Sequence, residues 1–93
     1  MPNNLFFSYE LAEQEERKEK LDKAIQSMGN ATPLTSSSWY VNSPLTAHEA
    51  TRRLSGLLTD EDTLVIADTS NDQSSWFNLE EKKARRVTQN WKM

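Results

Sequence analysis

The apolar residues of this chain repeat with two different periods in turn, and that switching limits the folds open to it. Over residues 4–11 they fall on every second position. Leu5, Phe7, Tyr9 and Leu11 share one face, and Phe6, Ser8 and Glu10 share the other. This alternation belongs to a strand with one covered face. Over residues 13–28 the spacing becomes helical, through Leu21, Ala24, Ile25 and Met28,. The first half of that helix interleaves charges of both signs, as a solvated face does. Gly29 and Asn30 end it. Residues 35–42 alternate again, with Ser37, Trp39 and Val41 set against Ser36, Ser38 and Tyr40. A short strand from Ala31 could precede them, so a hairpin and a single bent strand both fit. Pro33 is expected outside the strand proper, where its missing N–H costs least.

Ser43-Pro44 breaks this segment. Thr46 and Glu49 form a Thr-x-x-Glu capping box, and Ala47, Ala50, Leu54, Leu57 and Leu58 follow at helical spacing. Within residues 62–68, Leu64-Val65-Ile66-Ala67 is a continuous apolar run. Such a run suits a central strand buried on both faces. Residues 75–78, with Trp76 and Phe77, read as a short last strand. Asn78 and Glu81 then offer an N-cap and N3 pair for a helix over residues 80–91, whose apolar stripe is Ala84, Val87 and Trp91. The simplest packing of this order puts two helices on one face of a largely antiparallel sheet. The expected class is α+β, ferredoxin-like βαββαβ, over residues 1–79. Residues 80–93 add a basic C-terminal helix to the same domain.

Composition sets limits on this core. Only 35% of the 93 residues are apolar, below the roughly 45–50% of ordinary globular domains. Three Trp, three Phe and two Tyr supply large apolar area per residue and argue against disorder. A second copy covering part of the apolar surface would also help. The chain has no cysteine, which excludes disulfides, a thiolate nucleophile and a cysteine zinc site. The N-terminus lacks the charged segment of a signal peptide, and no apolar run reaches the ~20 residues of a membrane span. A cytoplasmic protein without membrane contact is expected. The net charge of −3 gives no global attraction to polyanions.

Several of these segments carry a resemblance. Phe6-Phe7-Ser8-Tyr9-Glu10-Leu11 resembles the first strand of the small CRISPR-associated, endonuclease-like subunit of the spacer-integration complex. Ser37-Ser38-Trp39-Tyr40-Val41, the helix capped by Thr46, Asp62-Thr63-Leu64-Val65-Ile66 and Ser75-Trp76-Phe77-Asn78-Leu79 resemble a related set of small SinR-like proteins. The likeness spans residues 4–79. It implies a ferredoxin-like fold and a homodimer with facing sheets. It also implies kinship with ribonucleases of the VapD-like kind. In the CRISPR-associated subunit the carboxylate ending the first strand is viewed as a metal ligand, one from each protomer. Glu10 matches that position, one methylene longer than the usual Asp.

Glu10 is therefore the candidate catalytic and metal-binding residue. Mg²⁺ or Mn²⁺ would be the cofactor, since hard cations take carboxylate oxygens and can activate water. The plainer reading is a solvated glutamate at a strand end. Asp68, also at a strand end, could be a second ligand, although Asp more often opens a turn. Ser36, Ser37 and Ser38 have no neighbouring base, and His48, the single histidine, reads as exposed. Trp39 and Trp76 read as core or interface packing. Lys82, Lys83, Arg85 and Arg86 form the one basic cluster, with Lys92 beyond it. They suit phosphate contacts, or else a solvated helix balanced by Glu80 and Glu81. Two functions follow. One is a dimeric protein associated with RNA or DNA, with metal-dependent endonuclease activity as its catalytic form. The other is a non-catalytic, antitoxin-like or inhibitor-like dimer with a protein partner.

Overall fold

Alternation in the first strand decides which side of the sheet is covered. β1 (Asn3–Glu10) buries Leu5, Phe7 and Tyr9 and turns Phe6, Ser8 and Glu10 outward. The computed structural model describes residues 2–12 and 15–90. The expected helix start at Glu13, and Trp91 and Lys92, lie outside the described residues. α1 (Glu15–Gln26) follows β1, then come β2 (Asn30–Thr35), β3 (Ser38–Ser43) and α2 (Ala47–Ser55). β4 (Thr63–Asp68), β5 (Gln73–Phe77) and α3 (Glu81–Asn90) complete the described chain.

The five strands form one sheet in the order β2-β3-β1-β4-β5, with every neighbouring pair antiparallel. β1 and β2 therefore run parallel with β3 between them, and β3 and β4 run parallel with β1 between them. α1 and α2 make those two crossings. α1 lies over β2 and β3, and α2 lies over β4 and β5. Leu21 and Ile25 of α1 and Ala50 and Leu54 of α2 meet Leu5, Phe7, Val41, Leu64 and Ile66 of the sheet in one buried cluster. Each large side chain buried in this way contributes roughly 1.5–3 kcal/mol.

The capping box forms as the sequence predicts. The Glu49 N–H donates to Thr46 Oγ1 at 3.1 Å and the Thr46 N–H to Glu49 Oε1 at 2.9 Å. Gly29 is fixed by space. A Cβ there would sit 2.1 Å from the Asn42 carbonyl oxygen, so the end of α1 can rest on β3 only with glycine.

Several expectations are corrected. Of the two forms open to the middle strand region the hairpin is the one present, but Ser36 and Ser37 lie in its turn and not in a strand. Pro33 lies inside β2, paired with Trp39 beside a register shift. It is tolerated because β2 is an edge strand. β4 is flanked by β1 and β5, yet it is not buried on both faces. Leu64, Ile66 and Asp68 are buried, whereas Thr63, Val65 and Ala67 are only partly covered. α2 ends before Leu57, which is 40% exposed. Asn78 does not cap α3: it sits at φ 55°. Its side-chain amide donates to the carbonyls of Asp60 and Asp62, the latter at 2.9 Å. The first turn of α3 opens on the Glu80 carbonyl, which accepts from the Ala84 N–H at 2.9 Å.

One buried carboxylate joins the loops at this end of the sheet. Asp62 is fully buried. It accepts from the Ala12 N–H at 2.9 Å and the Thr59 N–H at 2.7 Å, and is paired with the Arg17 guanidinium, whose Nη1 lies 3.2 Å away. The Arg17 hydrogen bonds, aided by those from Ala12 and Thr59, outweigh burial and hold the carboxyl well below its usual range,. A carboxylate lowered in this way stabilises the fold fully above its unfolded value of ~3.9 and loses that contribution as pH falls toward the folded value. Chemical denaturation of wild type should therefore show stability declining below about pH 4. Asp62→Ala should lower the plateau at neutral pH by about 3 kcal/mol and flatten this acid limb. An unchanged limb in the variant would assign it to other carboxylates.

Candidate functional site

Covering one sheet face with α1 and α2 leaves the other face open. On it lie Asn4, Phe6, Ser8 and Glu10 of β1, with Ser38, Tyr40 and Asn42 of β3 in register beside them. Thr63, Val65 and Ala67 of β4 continue the face, and Trp76 of β5 stands opposite Val65. Phe6 is 41% exposed. Its ring centroid lies 5.1 Å from that of Tyr40, with the planes tilted by 48°. Tyr40 donates its hydroxyl to Asn4 Oδ1 at 2.6 Å, which fixes the ring against the sheet.

Glu10 closes β1 at the rim of this face. A groove of about 600 Å³ runs there, lined by Ser8, Glu10, Thr63, Val65, Leu79, Glu80 and Lys83 among others. The fold thus brings Glu10 of the first strand and Lys83 of the last helix to one place. Among the described residues no hydrogen bond or ion pair holds the Glu10 carboxylate. Lys82, Arg85 and Arg86 are exposed along the same helix. Arg85 is engaged by Glu81 at 2.8 Å, a pair four residues apart on a solvated surface. No residue of α3 is buried, and Ala84 and Val87 are only partly covered.

A second, smaller cleft of about 270 Å³ borders Glu10 on the helix side and includes Tyr9, Lys18, Ser36 and Ser37. Two of its polar groups, Tyr9 and Lys18, converge on Asp22 of α1. Asp22 Oδ1 accepts from the Tyr9 hydroxyl at 2.7 Å and the Trp39 indole N–H at 3.1 Å, and Asp22 Oδ2 accepts from Lys18 at 2.7 Å. Burial opposes ionisation of Asp22, but the bonds from Lys18, Tyr9 and Trp39 outweigh it and lower its pKa. Burial, then the bond to Asp22, raise that of Tyr9. This cluster anchors α1 to the sheet and gives the buried aromatics their hydrogen-bond partners.

The other candidates lie apart. Asp68 pairs in register with Leu5, and Glu10 with Thr63, so the two carboxylates stand about 17 Å apart along the sheet. Asp68 is fully buried. It accepts from the N–H groups of Ser70 and Asn71 at 3.0 and 3.2 Å, which makes it a turn-opening residue. His48 is exposed near the start of α2. Trp39 belongs to the core, whereas Trp76 lies on the open face.

No group of three or more His, Asp or Glu side chains suited to a metal ion occurs among the described residues. Glu10 shares its groove with Glu80 and with the Lys83 ammonium. No described helix is long and apolar enough to cross a membrane. Sequence reasoning did not pair Phe6 with Tyr40, or bring Glu80 and Thr63 to Glu10. The outward alternation of both strands was visible, but their register was not. Compared with known proteins, the chain matches no family model, no curated protein and no solved structure.

Proposed function

We propose that this is a nucleic-acid-associated protein built on a ferredoxin-like arrangement, with β5 and α3 added beyond the basic unit. The order β2-β3-β1-β4 and the two split crossings support that arrangement. The added β5 means that β4 is no longer the sheet edge. The observation that carries the functional reading is α3. Its sequence Glu-Lys-Lys-Ala-Arg-Arg sets four cations against one acid, and Lys83 lines the groove at the end of the open face. Cations exposed in this way meet phosphate without first leaving a buried partner, and they act locally despite the net charge of −3,.

Cleavage is a separate step. Glu10 is the candidate for it, with Mg²⁺ or Mn²⁺ as the ion, and it would require a second copy to supply another Glu10. The alternative is a non-catalytic dimer or protein-binding module that uses the open sheet face as its interface. The exposed Phe6, packed on half-buried Tyr40, favours this reading.

Binding should weaken steeply with salt, and Lys83→Ala should reduce the slope of log K against log salt by about 1. Fluorescence anisotropy across a salt series measures both quantities, and affinity independent of salt contradicts the proposal. In a cleavage assay with Mg²⁺, Mn²⁺ or chelator, the metal-dependent form predicts activity that Glu10→Ala abolishes. Equal cleavage by both proteins removes Glu10 from that role.

A further inference from the structure

The open face has a chemistry of its own, distinct from that of the cationic helix. Phe6 and Tyr40 sit directly opposite each other on adjacent central strands, and the Asn4 bond holds the tyrosine ring in place. Next to Phe6 on β4 and β5 come Ala67 and then Ser74, both small. They leave a low shelf between the aromatic pair and Trp76. The row beside Phe6 carries the hydroxyls of Ser8 and Ser38. Apart from Glu10, which shares the rim groove with Glu80 and Lys83, the strand positions of this face are uncharged.

This pattern departs from a dry sheet-to-sheet interface, which interdigitates apolar side chains from both layers. Its hydroxyls and amides, some already paired within the face (Ser38 with Thr35, Asn4 with Tyr40 and Asn42), would there sit against apolar side chains,. It fits unpaired bases. Their π-faces stack on exposed aromatics, and their edges accept and donate to hydroxyls and amides. A duplex hides its base faces and cannot use such a platform. The backbone of a bound strand needs cations at the side of the platform. Lys83 provides one at the end of the groove that begins at Ser8 and Val65.

We infer that the open sheet face binds single-stranded nucleic acid, with bases stacked on Phe6 and Tyr40 and phosphates directed toward Lys83 and the rest of α3. This deepens the nucleic-acid reading and rests on it. Phe6 takes part in no buried cluster, so its replacement leaves the core intact.

The test compares short fluorescein-labelled single-stranded RNA, single-stranded DNA and the corresponding duplex by anisotropy at low salt. Wild type should bind the single strands more tightly than the duplex. Phe6→Ala should weaken single-strand binding about 5- to 100-fold while the domain stays folded, with the thermal midpoint lowered only by the several degrees that loss of one cross-strand aromatic pair costs, and Phe6→Trp should retain binding. Single-strand affinity unchanged in Phe6→Ala, with Lys83→Ala still weakening binding, overturns the stacking inference and leaves the parent reading standing. Absence of binding to any of the three probes overturns both. Loss of self-association in Phe6→Ala by sedimentation, with strand affinity intact, assigns the face to a second copy and overturns the inference as well.

Discussion

With 35% of its residues apolar, this chain can seal one face of its sheet, and the structure follows from where that limited supply goes. Leu5 and Phe7, Val41, and Leu64 and Ile66 all point to the side that α1 and α2 cover. The intervening positions are Ser, Thr and Asn, with Phe6, Tyr40, Val65 and Trp76 among them. The two helices lie on the same side because β1 and β3 run in opposite directions and their crossings move in opposite directions across the sheet, so two right-handed crossovers fall on one face,. Once both are placed, nothing described remains to cover the second face except the start of α3 at one end. The uncovered face is thus a consequence of packing, and it carries the aromatic side chains Phe6, Tyr40 and Trp76.

The geometry at the rim depends on Asp62. Its carboxylate holds the N–H that follows Leu11, the Thr59 turn and Arg17 of α1, and its carbonyl accepts from Asn78. Glu10 lies two residues before Ala12, and α3 begins three residues after Asn78. Through its carboxylate on one side and its main-chain carbonyl on the other, Asp62 ties down both walls of the groove that Glu10 and Lys83 line. Breaking the ion pair would leave an uncompensated buried group and loosen the segment after Glu10, while the Asn78 bond to the main-chain carbonyl would remain. Stability and site geometry are coupled through this residue.

Much of this was legible in the residues. The period-two pattern of β1, the helical stripe of Leu21 and Ile25, and the Thr46–Glu49 box each rest on local chemistry, and each appears in the structure. β4 misled because a continuous Leu-Val-Ile-Ala run reads the same whether its second face is covered by protein or left half open. Asn78 misled because an asparagine before a helix suits an N-cap, while its amide was needed to close the Asp60–Asp62 turn. The placing of Phe6 against Tyr40, and of Glu10 and Lys83 around one groove, depends on strand register and on the path after β5. Neither is encoded by local periodicity. Lys83 and Glu80 also line the groove at whose rim Glu10 stands.

The central claim is that the open sheet face is the working surface of the molecule. The most direct measurement is a titration of ¹⁵N-labelled protein with short single-stranded RNA, followed by backbone and indole amide chemical shifts. The account predicts perturbations concentrated at Phe6, Ser8, Tyr40, Val65 and the Trp76 indole, continuing to Lys83, with Leu21, Ile25 and Leu54 on the covered side unmoved. Perturbations confined to α1 and α2, or to α3 without the sheet, would contradict it.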